Sequence, residues 1–299
     1  MTTALTAHAD HRTYTTPARL GMPPGCLDLW VVRGPRSRAL HGLLAAPELS
    51  EAERRRAVAF RRPRDGALYA CTHLVLRRLL GAYLGVAPRD LTFVRDPCPG
   101  CGGPHGRPAV VHHGPPLHFS LGHSHGMALI GVAATVLGVD VQRLPREETV
   151  ATVSEALHPD ERAELAACPP ARRPSAFGQL WTRKEAYLKA LGTGLSRGTA
   201  ADYVGTDPSR RPPGWTLIDI RCGPEHQGAA ALRGAWPAHI RTRWLGRHRP
   251  ATNPSQESDP HVGTGEDPGR PPRWEPVRLD HGRAVGGAAP DQEGGPAGA

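Results

Sequence analysis

A change of composition at Gly246 limits the part of this 299-residue chain that can form a packed core. Between positions 246 and 299, 19 of the 54 residues are Gly or Pro, and Trp274 is the single aromatic residue. A segment of this composition buries too little apolar surface to offset the entropy that is lost when the chain becomes ordered. We therefore predict a disordered tail at 246–299 and a fold confined to residues 1–245.

The net charge differs between these two regions. The whole chain has a formal charge of +9, and the tail has six Arg against eight acidic residues, so the positive charge belongs to the first 245 residues. No apolar run approaches the roughly 18 residues that cross a bilayer, and residues 1–10 lack the basic and apolar regions of a secretory signal. The six cysteines are not densely spaced, and together these features predict a cytoplasmic protein with reduced thiols and no membrane contact.

Only two of the 37 basic residues are lysines, and they are five positions apart. Codon bias in a GC-rich genome explains an excess of Arg, but it does not explain why Lys184 and Lys189 are still lysines. Either their clustering is due to chance, or a function requires lysine at these positions. Both lie in the segment 175–191, which has the clearest helical pattern of the chain and is followed by Gly192. Glu185 and Lys189 are four residues apart, so they share one face of this predicted helix.

The remaining hydrophobic pattern predicts alternating strands and helices. Ser50 is predicted to cap the N-terminus of the first helix. The order of strand, helix and strands occurs twice, which suggests an α+β fold of two similar halves, although no sequence repeat is visible. The predicted strands are 28–32, 91–94, 117–121, 127–134, 137–141, 215–221, 228–232 and 238–244, and the predicted helices are 51–62, 65–84, 159–167 and 175–191.

Acidic residues in the strand 137–141 and in the last helix are candidates for metal binding. Strand alternation places Asp140 and Gln142 on one face, and an aspartate between valines is costly to bury unless it is paired, binds a cation or reaches solvent. Glu185 and Lys189 alone could form an ordinary surface pair worth a few tenths of a kcal/mol. If Asp140 and Glu185 meet, however, they provide two carboxylates for Mg²⁺, which takes further oxygens from water and phosphate.

Two other segments contain groups that suit an anion. A predicted strand runs into Gly122-His123-Ser124, although a single histidine in such a place is more often structural. A turn at Gly106-Arg107-Pro108 contributes one cation.

Taken together, these segments resemble the Sfp-type 4′-phosphopantetheinyl transferases. That family has a GKP-like turn, then F-N-hydrophobic-S-H-S, then hydrophobic-G-hydrophobic-D-hydrophobic-E, and finally W-x-x-K-E-x-x-x-K-x-x-G-x-G. The corresponding segments here are 106–108, 119–124, 136–142 and 181–194, in the same order. The resemblance covers roughly residues 28 to 245 and includes both lysines.

The resemblance implies an α+β pseudo-dimer in which each half is a small antiparallel sheet packed on a long helix. An N-terminal half at 1–125 and a C-terminal half at 126–245, with the metal and catalytic motifs, would hold coenzyme A between them. It implies Mg²⁺-dependent transfer of phosphopantetheine from coenzyme A to a serine of an apo acyl or peptidyl carrier protein, with release of 3′,5′-ADP. We expect a monomer that serves polyketide or nonribosomal peptide biosynthesis, attracts an acidic carrier by charge and binds no nucleic acid.

The family motifs also imply roles for single residues. Asp140, Gln142 and Glu185 would ligate Mg²⁺, Glu185 would act as the base for the serine, and Lys189 would stabilise the phosphate and the leaving group. The implied contacts to coenzyme A are Arg54, Arg56, Arg107, Gly122, His123 and Lys189.

Several positions depart from the family pattern. Gln142 replaces an acid, which predicts a weaker metal site, and Ser120 and Gly122 replace Asn and Ser. Arg107 replaces Lys, and Leu68 replaces an Arg that is frequent in bacterial members. A degenerate member that binds coenzyme A or a carrier without turnover is therefore an alternative. A basic nucleic-acid-binding module is a weaker one, because the chain has few aromatic residues and no reader motif.

Cys98 and Cys101 are followed by His105 in a pattern that is half of a zinc site. His112 or His113 could complete the site, but a second C-x-x-C is missing. We therefore expect a flexible loop at this position rather than a metal site.

Overall fold

The computed structural model describes residues 14–246, so the tail predicted to be disordered lies outside the described residues from 247 onward. The described chain is a mixed α+β fold, as predicted. Its strands are β1 (Cys26–Arg33), β2 (Phe93–Arg95), β3 (Pro108–Val110), β4 (His118–Ser124), β5 (Met127–Ala133), β6 (Leu137–Arg143), β7 (Trp215–Arg221), β8 (His226–Arg233) and β9 (His239–Leu245). Its α-helices are α1 (Leu40–Leu44), α2 (Glu51–Val58), α3 (Pro63–Leu84), α4 (Glu147–Val153), α5 (Pro159–Ala167) and α6 (Arg173–Leu191).

The first sheet has the strand order β4-β5-β1-β9. β5 is antiparallel to both β1 and β4, whereas β9 runs parallel to β1 with Cys26 opposite His239. The prediction of a purely antiparallel sheet is therefore wrong for this half. β1 is buried along almost its whole length, so it needs a hydrogen-bonded neighbour on each edge, and the last strand of the fold supplies the second one.

The long helix α3 covers one face of this sheet. It begins with Pro63 in its first turn and ends at Gly85, whose φ of 68° is the left-handed conformation that glycine adopts at helix ends. Leu74 and Leu79 of α3 and Trp30 of β1 belong to one buried apolar cluster. The helix predicted to end at residue 62 stops instead at Val58, and α3 starts five residues later.

The second sheet has the order β6-β8-β7 and is antiparallel throughout. Helix α6 packs on it very closely, because a Cβ atom at Gly138 would lie 2.0 Å from the backbone oxygen of Ala186. Only a glycine permits this approach of helix and strand. It places the segment of α6 that contains Glu185 and Lys189 directly against β6.

Two serines of β4 join the two sheets. Ser120 Oγ accepts a hydrogen bond from the backbone N–H of Val139 (3.0 Å), and Ser124 Oγ accepts one from that of Arg143 (3.2 Å). β4 and β6 are edge strands of their sheets, so these hydroxyls satisfy N–H groups of β6 that face away from β8. Ser120, which departs from the family pattern, therefore contributes to the junction of the sheets.

Two sheets with one long helix on each agree with the predicted α+β class, but the similarity of two halves stays a prediction. Strands from both sides of the division at residue 125 share the first sheet, since β5 and β9 lie beside β1. The segment between the predicted strands 91–94 and 117–121 contains the short strand β3, which was not predicted and which pairs with β2. None of the helices within residues 14–246 is both long and apolar enough to cross a membrane.

Candidate active site

Asp140 is buried in β6 and is paired with a lysine. Its relative exposure is 2%, and Lys189 Nζ donates to Asp140 Oδ1 at 2.6 Å and to the backbone oxygen of Val139 at 3.2 Å. The cost of burying this carboxylate is thus offset by its pairing with the ammonium group of Lys189. The pair connects the middle of β6 to the last turn of α6.

The second oxygen of Asp140 is also occupied. Gln142, two residues further along β6, donates from Nε2 to Asp140 Oδ2 at 3.1 Å. The contact shows that both side chains lie on the same side of the strand, as period-two alternation predicts.

Glu185 adds a second carboxylate to this cluster. It is half-buried, and burial together with the negative charge of Asp140 raises the pKa of Glu185 to about 7, although Lys189 lowers it. Burial is the larger cause of the shift and the charge of Asp140 is the second, and a divalent cation would offset both because it favours the ionised carboxylate. Oxygen donors of this kind suit Mg²⁺, so Asp140 and Glu185 fit the metal that the sequence motifs imply.

Gly122 on β4 closes one side of the cluster. A Cβ atom at this position would lie 2.8 Å from Asp140 Oδ1 and 3.0 Å from Lys189 Nζ. The departure from serine at position 122 therefore leaves room for the Asp140–Lys189 pair in its present position. The structure thus places Gly122 beside Asp140 and Lys189, and its predicted contact with coenzyme A stays a prediction.

His123 follows directly and is neutral at physiological pH. Burial and the positive charges of Lys189 and His73 lower its pKa to about 4. His73 comes from α3, where its ring stacks on Tyr69 with 4.1 Å between centroids and its Nδ1 lies 3.3 Å from Glu53 Oε1.

A model of the 4′-phosphopantetheinyl transferase superfamily matches residues 136–236, which contain Asp140, Gln142, Glu185 and Lys189. The chain is 30% identical over 199 residues to the 4′-phosphopantetheinyl transferase HetI of Nostoc sp., an alignment that covers 63% of this chain and 80% of that protein. The chain belongs to the 4′-phosphopantetheinyl transferase superfamily. The motif-based prediction of the family is thereby confirmed.

Two further relatives show how the similarity is distributed. A putative 4′-phosphopantetheinyl transferase of Synechocystis sp. is 34% identical over 161 residues, which are 52% of this chain and 60% of that protein. The 4′-phosphopantetheinyl transferase psf-1 of Bacillus pumilus is 31% identical over 96 residues, or 32% of this chain and 40% of its own length. This superfamily member therefore spans less than two thirds of the length of either relative.

Arg107, the cation predicted from the GKP-like turn, contacts the end of α6. Its Nη1 donates to the backbone oxygen of Ala190 at 3.0 Å, while Nε and Nη2 donate to Asp96 Oδ2 at 3.3 and 3.2 Å. The chain beside it is tightly packed, since a Cβ atom at Gly192 would lie 3.0 Å from Arg107 Cγ. Arg107 is thus held against the backbone of Ala190, the residue that follows Lys189 on α6.

Two of the three arginines of α2 were predicted to bind coenzyme A, and they make different contacts. Arg54 donates from Nε and Nη2 to the backbone oxygens of Leu44 and Ala46, both at 2.9 Å, and so closes the end of α1. The guanidinium of Arg56 lies over the ring of Phe60 at 5.6 Å. The structure gives Arg54 a role within the fold, and coenzyme A binding by Arg54 and Arg56 stays a prediction.

Lys184, the other lysine of α6, does not lie at the cluster. It is 1% exposed, and its Nζ donates to Glu161 Oε1 of α5 at 2.8 Å. Positions 184 and 189 are five residues apart, which places them on different faces of α6. One lysine therefore stabilises the packing of α5 on α6 and the other belongs to the site.

Sequence reasoning missed His73. Its distance of four residues from Tyr69 within the predicted helix places both rings on one face of α3. That spacing was visible in the sequence, but it does not indicate that this face approaches His123 on β4.

Proposed function

We propose that the protein transfers the 4′-phosphopantetheine group of coenzyme A to a serine of an apo carrier protein in a Mg²⁺-dependent reaction that releases 3′,5′-ADP. The observation that carries the proposal is the cluster of Asp140, Glu185 and Lys189 at the contact of β6 and α6. All three belong to the segment that matches the superfamily model. The three relatives described above are named as phosphopantetheinyl transferases, which supports the same activity.

Asp140 and Glu185 would hold the metal, with the amide oxygen of Gln142 as a further ligand. Bound Mg²⁺ supplies charge neutralisation for the pyrophosphate of coenzyme A. Gln142 contributes no charge, which predicts weaker metal binding than a third carboxylate would give.

Lys189 would neutralise a phosphate oxygen of coenzyme A. An ammonium has three N–H donors, and the structure directs Lys189 Nζ to Asp140 Oδ1 and Val139 O. One donor remains for a phosphate, at a position fixed by the other two. His123, neutral because its pKa is about 4, offers a ring N–H to the nucleotide end, and Arg107 adds a cation at the end of α6.

Glu185 would accept the proton of the incoming serine, directly or through a water. The serine oxygen forms a bond to the phosphorus on the pantetheine side, and the bond from that phosphorus to the bridging oxygen breaks, so that 3′,5′-ADP leaves. Bound Mg²⁺ would favour the ionised form of Glu185, which is the form that accepts a proton at neutral pH. Positioning and charge stabilisation supply most of the rate of such a transfer.

The proposed partners follow from charge and chemistry. The first 245 residues contain the positive charge of the chain, which attracts coenzyme A and an acidic carrier of fatty-acid, polyketide or peptide synthesis. We propose that coenzyme A binds between the two halves of a monomer, and that these halves are related by duplication.

The direct test is incubation of the full-length protein with coenzyme A, Mg²⁺ and several purified apo carriers, followed by intact mass measurement of each carrier. We expect one phosphopantetheine per carrier and no gain when a chelator removes the metal. No gain with any carrier contradicts the proposal. Calorimetric binding of coenzyme A in that case would identify a degenerate member, and salt-sensitive duplex binding without coenzyme A binding would identify a nucleic-acid-binding protein.

A further inference from the structure

The loop between β2 and β3 contains a second group of metal-binding side chains, apart from the cluster on β6 and α6. The ligand atoms of Cys98, Cys101 and His105 all lie within 4.8 Å of one another, and Cys101 Sγ is 3.0 Å from His105 Nε2. Within residues 14–246 these three form the one such group of His, Cys or acidic side chains. The group includes neither His112 nor His113, the histidines that the sequence offered as further ligands.

The backbone of the loop is folded so that the three side chains converge. The N–H of Cys98 donates to Gly103 O and the N–H of Gly102 donates to Cys98 O, both at 2.8 Å. The N–H of His105 also donates to Gly103 O at 2.8 Å. Gly102 has a φ of 72°, which a residue with a side chain rarely adopts, so the tight turn depends on this glycine.

A further glycine shows how closely the ligands approach. A Cβ atom at Gly103 would lie 3.1 Å from His105 Cδ2 and 3.4 Å from Cys101 Sγ. The side chains of Cys101 and His105 therefore both pack against Gly103, and a side chain at position 103 would leave them less space. Both glycines that follow Cys101 therefore fit this geometry, Gly102 through its φ and Gly103 through the close approach of the two ligands.

The sulfur of Cys98 has the surroundings of a thiolate. Cys98 is buried, and the backbone N–H groups of Gly100 and Cys101 donate hydrogen bonds to its Sγ. Such donors stabilise negative charge on sulfur, and the thiolate is the form that binds metals. No basic side chain is needed for this effect, because the turn itself provides the donors.

We propose that Cys98, Cys101 and His105 bind one Zn²⁺ ion. In a tetrahedral site with Zn–S of about 2.3 Å and Zn–N of about 2.0–2.1 Å, neighbouring ligand atoms lie roughly 3.3–3.8 Å apart. The observed separations, 3.0 Å between Cys101 Sγ and His105 Nε2 and at most 4.8 Å within the group, lie near this spacing. Two thiolates and an imidazole select zinc over the hard cation Mg²⁺, and the exposure of Cys101 leaves the fourth position to water.

The site would fix the turn that presents Arg107. The loop is closed by hydrogen bonds from Asp96 N–H to Arg107 O (2.9 Å) and from Gly106 N–H to Asp96 O (3.0 Å). Arg107 in turn bonds to the end of α6. A metal ion two residues from this closure would hold the loop in one conformation and thereby position the arginine. Zinc binding itself does not depend on the proposed transferase activity.

The test is the zinc content of the full-length protein after purification with a reductant and without added metal chelators. We expect about one zinc per chain by mass spectrometry of the metal. Cys98→Ser, Cys101→Ser and His105→Ala should each lose most of the zinc, whereas Cys168→Ser and His113→Ala, which change the same residue types outside the group, should retain it.

Replacement of zinc by Co²⁺ provides a readout that does not depend on metal carried through purification. We expect the intense thiolate-to-cobalt absorption and the visible bands of tetrahedral Co²⁺ in the wild-type protein and in both control variants, but not in Cys98→Ser. Reduced wild-type protein without zinc and without these bands would overturn the proposal. A Cys98–Cys101 disulfide that forms in air, followed by no cobalt binding after reduction, would also overturn it and indicate a redox pair.

Discussion

At the scale of single residues, both carboxylate oxygens of Asp140 accept hydrogen bonds, one from Lys189 and one from Gln142. A metal ion at this position must therefore share Asp140 with a lysine and an amide. The pKa of the neighbouring Glu185 is raised, first by burial and second by the charge of Asp140, and a cation would offset both effects. Metal affinity should then depend on the charge at position 142.

We predict that Gln142→Glu binds Mg²⁺ about tenfold more tightly than the wild type, because a third carboxylate joins Asp140 and Glu185. Titration calorimetry with Mg²⁺ at constant pH measures the change. Gln227→Glu is the matched control, since Gln227 lies directly across from Gln142 on β8 and adds the same charge one strand away. Equal affinities for the wild type and Gln142→Glu would remove position 142 from the metal site.

At the scale of elements, α2 and α3 are tied together by one buried carboxylate. Glu53 accepts from the backbone N–H of Ser50 at 2.7 Å and from Arg77 Nε at 2.8 Å. The sequence predicts the cap at Ser50, because a serine before acidic residues is a local signal. The partner on α3 is 24 positions away, and no local pattern indicates which face of α3 meets α2.

We predict that this tie makes the stability of the protein sensitive to acid. Burial opposes ionisation of Glu53, but hydrogen bonds from His73, Ser50 and Arg77 lower its pKa from 4.5 to about 2. The folded state then binds fewer protons than the unfolded state, so stability that is present above pH 4.5 is lost as the pH falls to about 2. The loss attributable to Glu53 is roughly 3 kcal/mol.

Urea unfolding between pH 6 and pH 3 measures this effect. Glu53→Gln should be less stable at pH 6 and should show a weaker dependence on pH. Glu51→Gln is the control, because Glu51 belongs to the same helix and forms an exposed pair with Arg55, so its slope should match that of the wild type. Parallel pH dependences for Glu53→Gln and the wild type would contradict the assignment.

At the scale of the whole molecule, the elements were far easier to predict than their arrangement. The strand 215–221 and the end of α6 at Gly192 agree with the prediction, since alternation and a terminal glycine are local features. The parallel pairing of β9 with β1 was not predicted, because the free edge of β1 exists only once the first sheet has formed. The same reason applies to the junction of the two sheets through Ser120 and Ser124.

The candidate site was predicted as a set of motif positions, and the structure shows which of them meet. Asp140, Lys189 and Gly122 are in direct contact, while Arg54 contacts the end of α1 and Lys184 a buried glutamate. Motif spacing does not distinguish a lysine of the site from one of the core, because both follow the same helical pattern.

The central claim is that the cluster on β6 and α6 performs the transfer, and the rate of carrier modification by Glu185→Gln tests it most directly. The substitution keeps the size of the side chain but removes the proton acceptor and a metal ligand, so we predict a loss of more than about 100-fold with a thermal unfolding midpoint that does not fall. Glu155→Gln, at an exposed position on the same domain, should retain the wild-type rate. A rate near that of the wild type for Glu185→Gln would contradict the account.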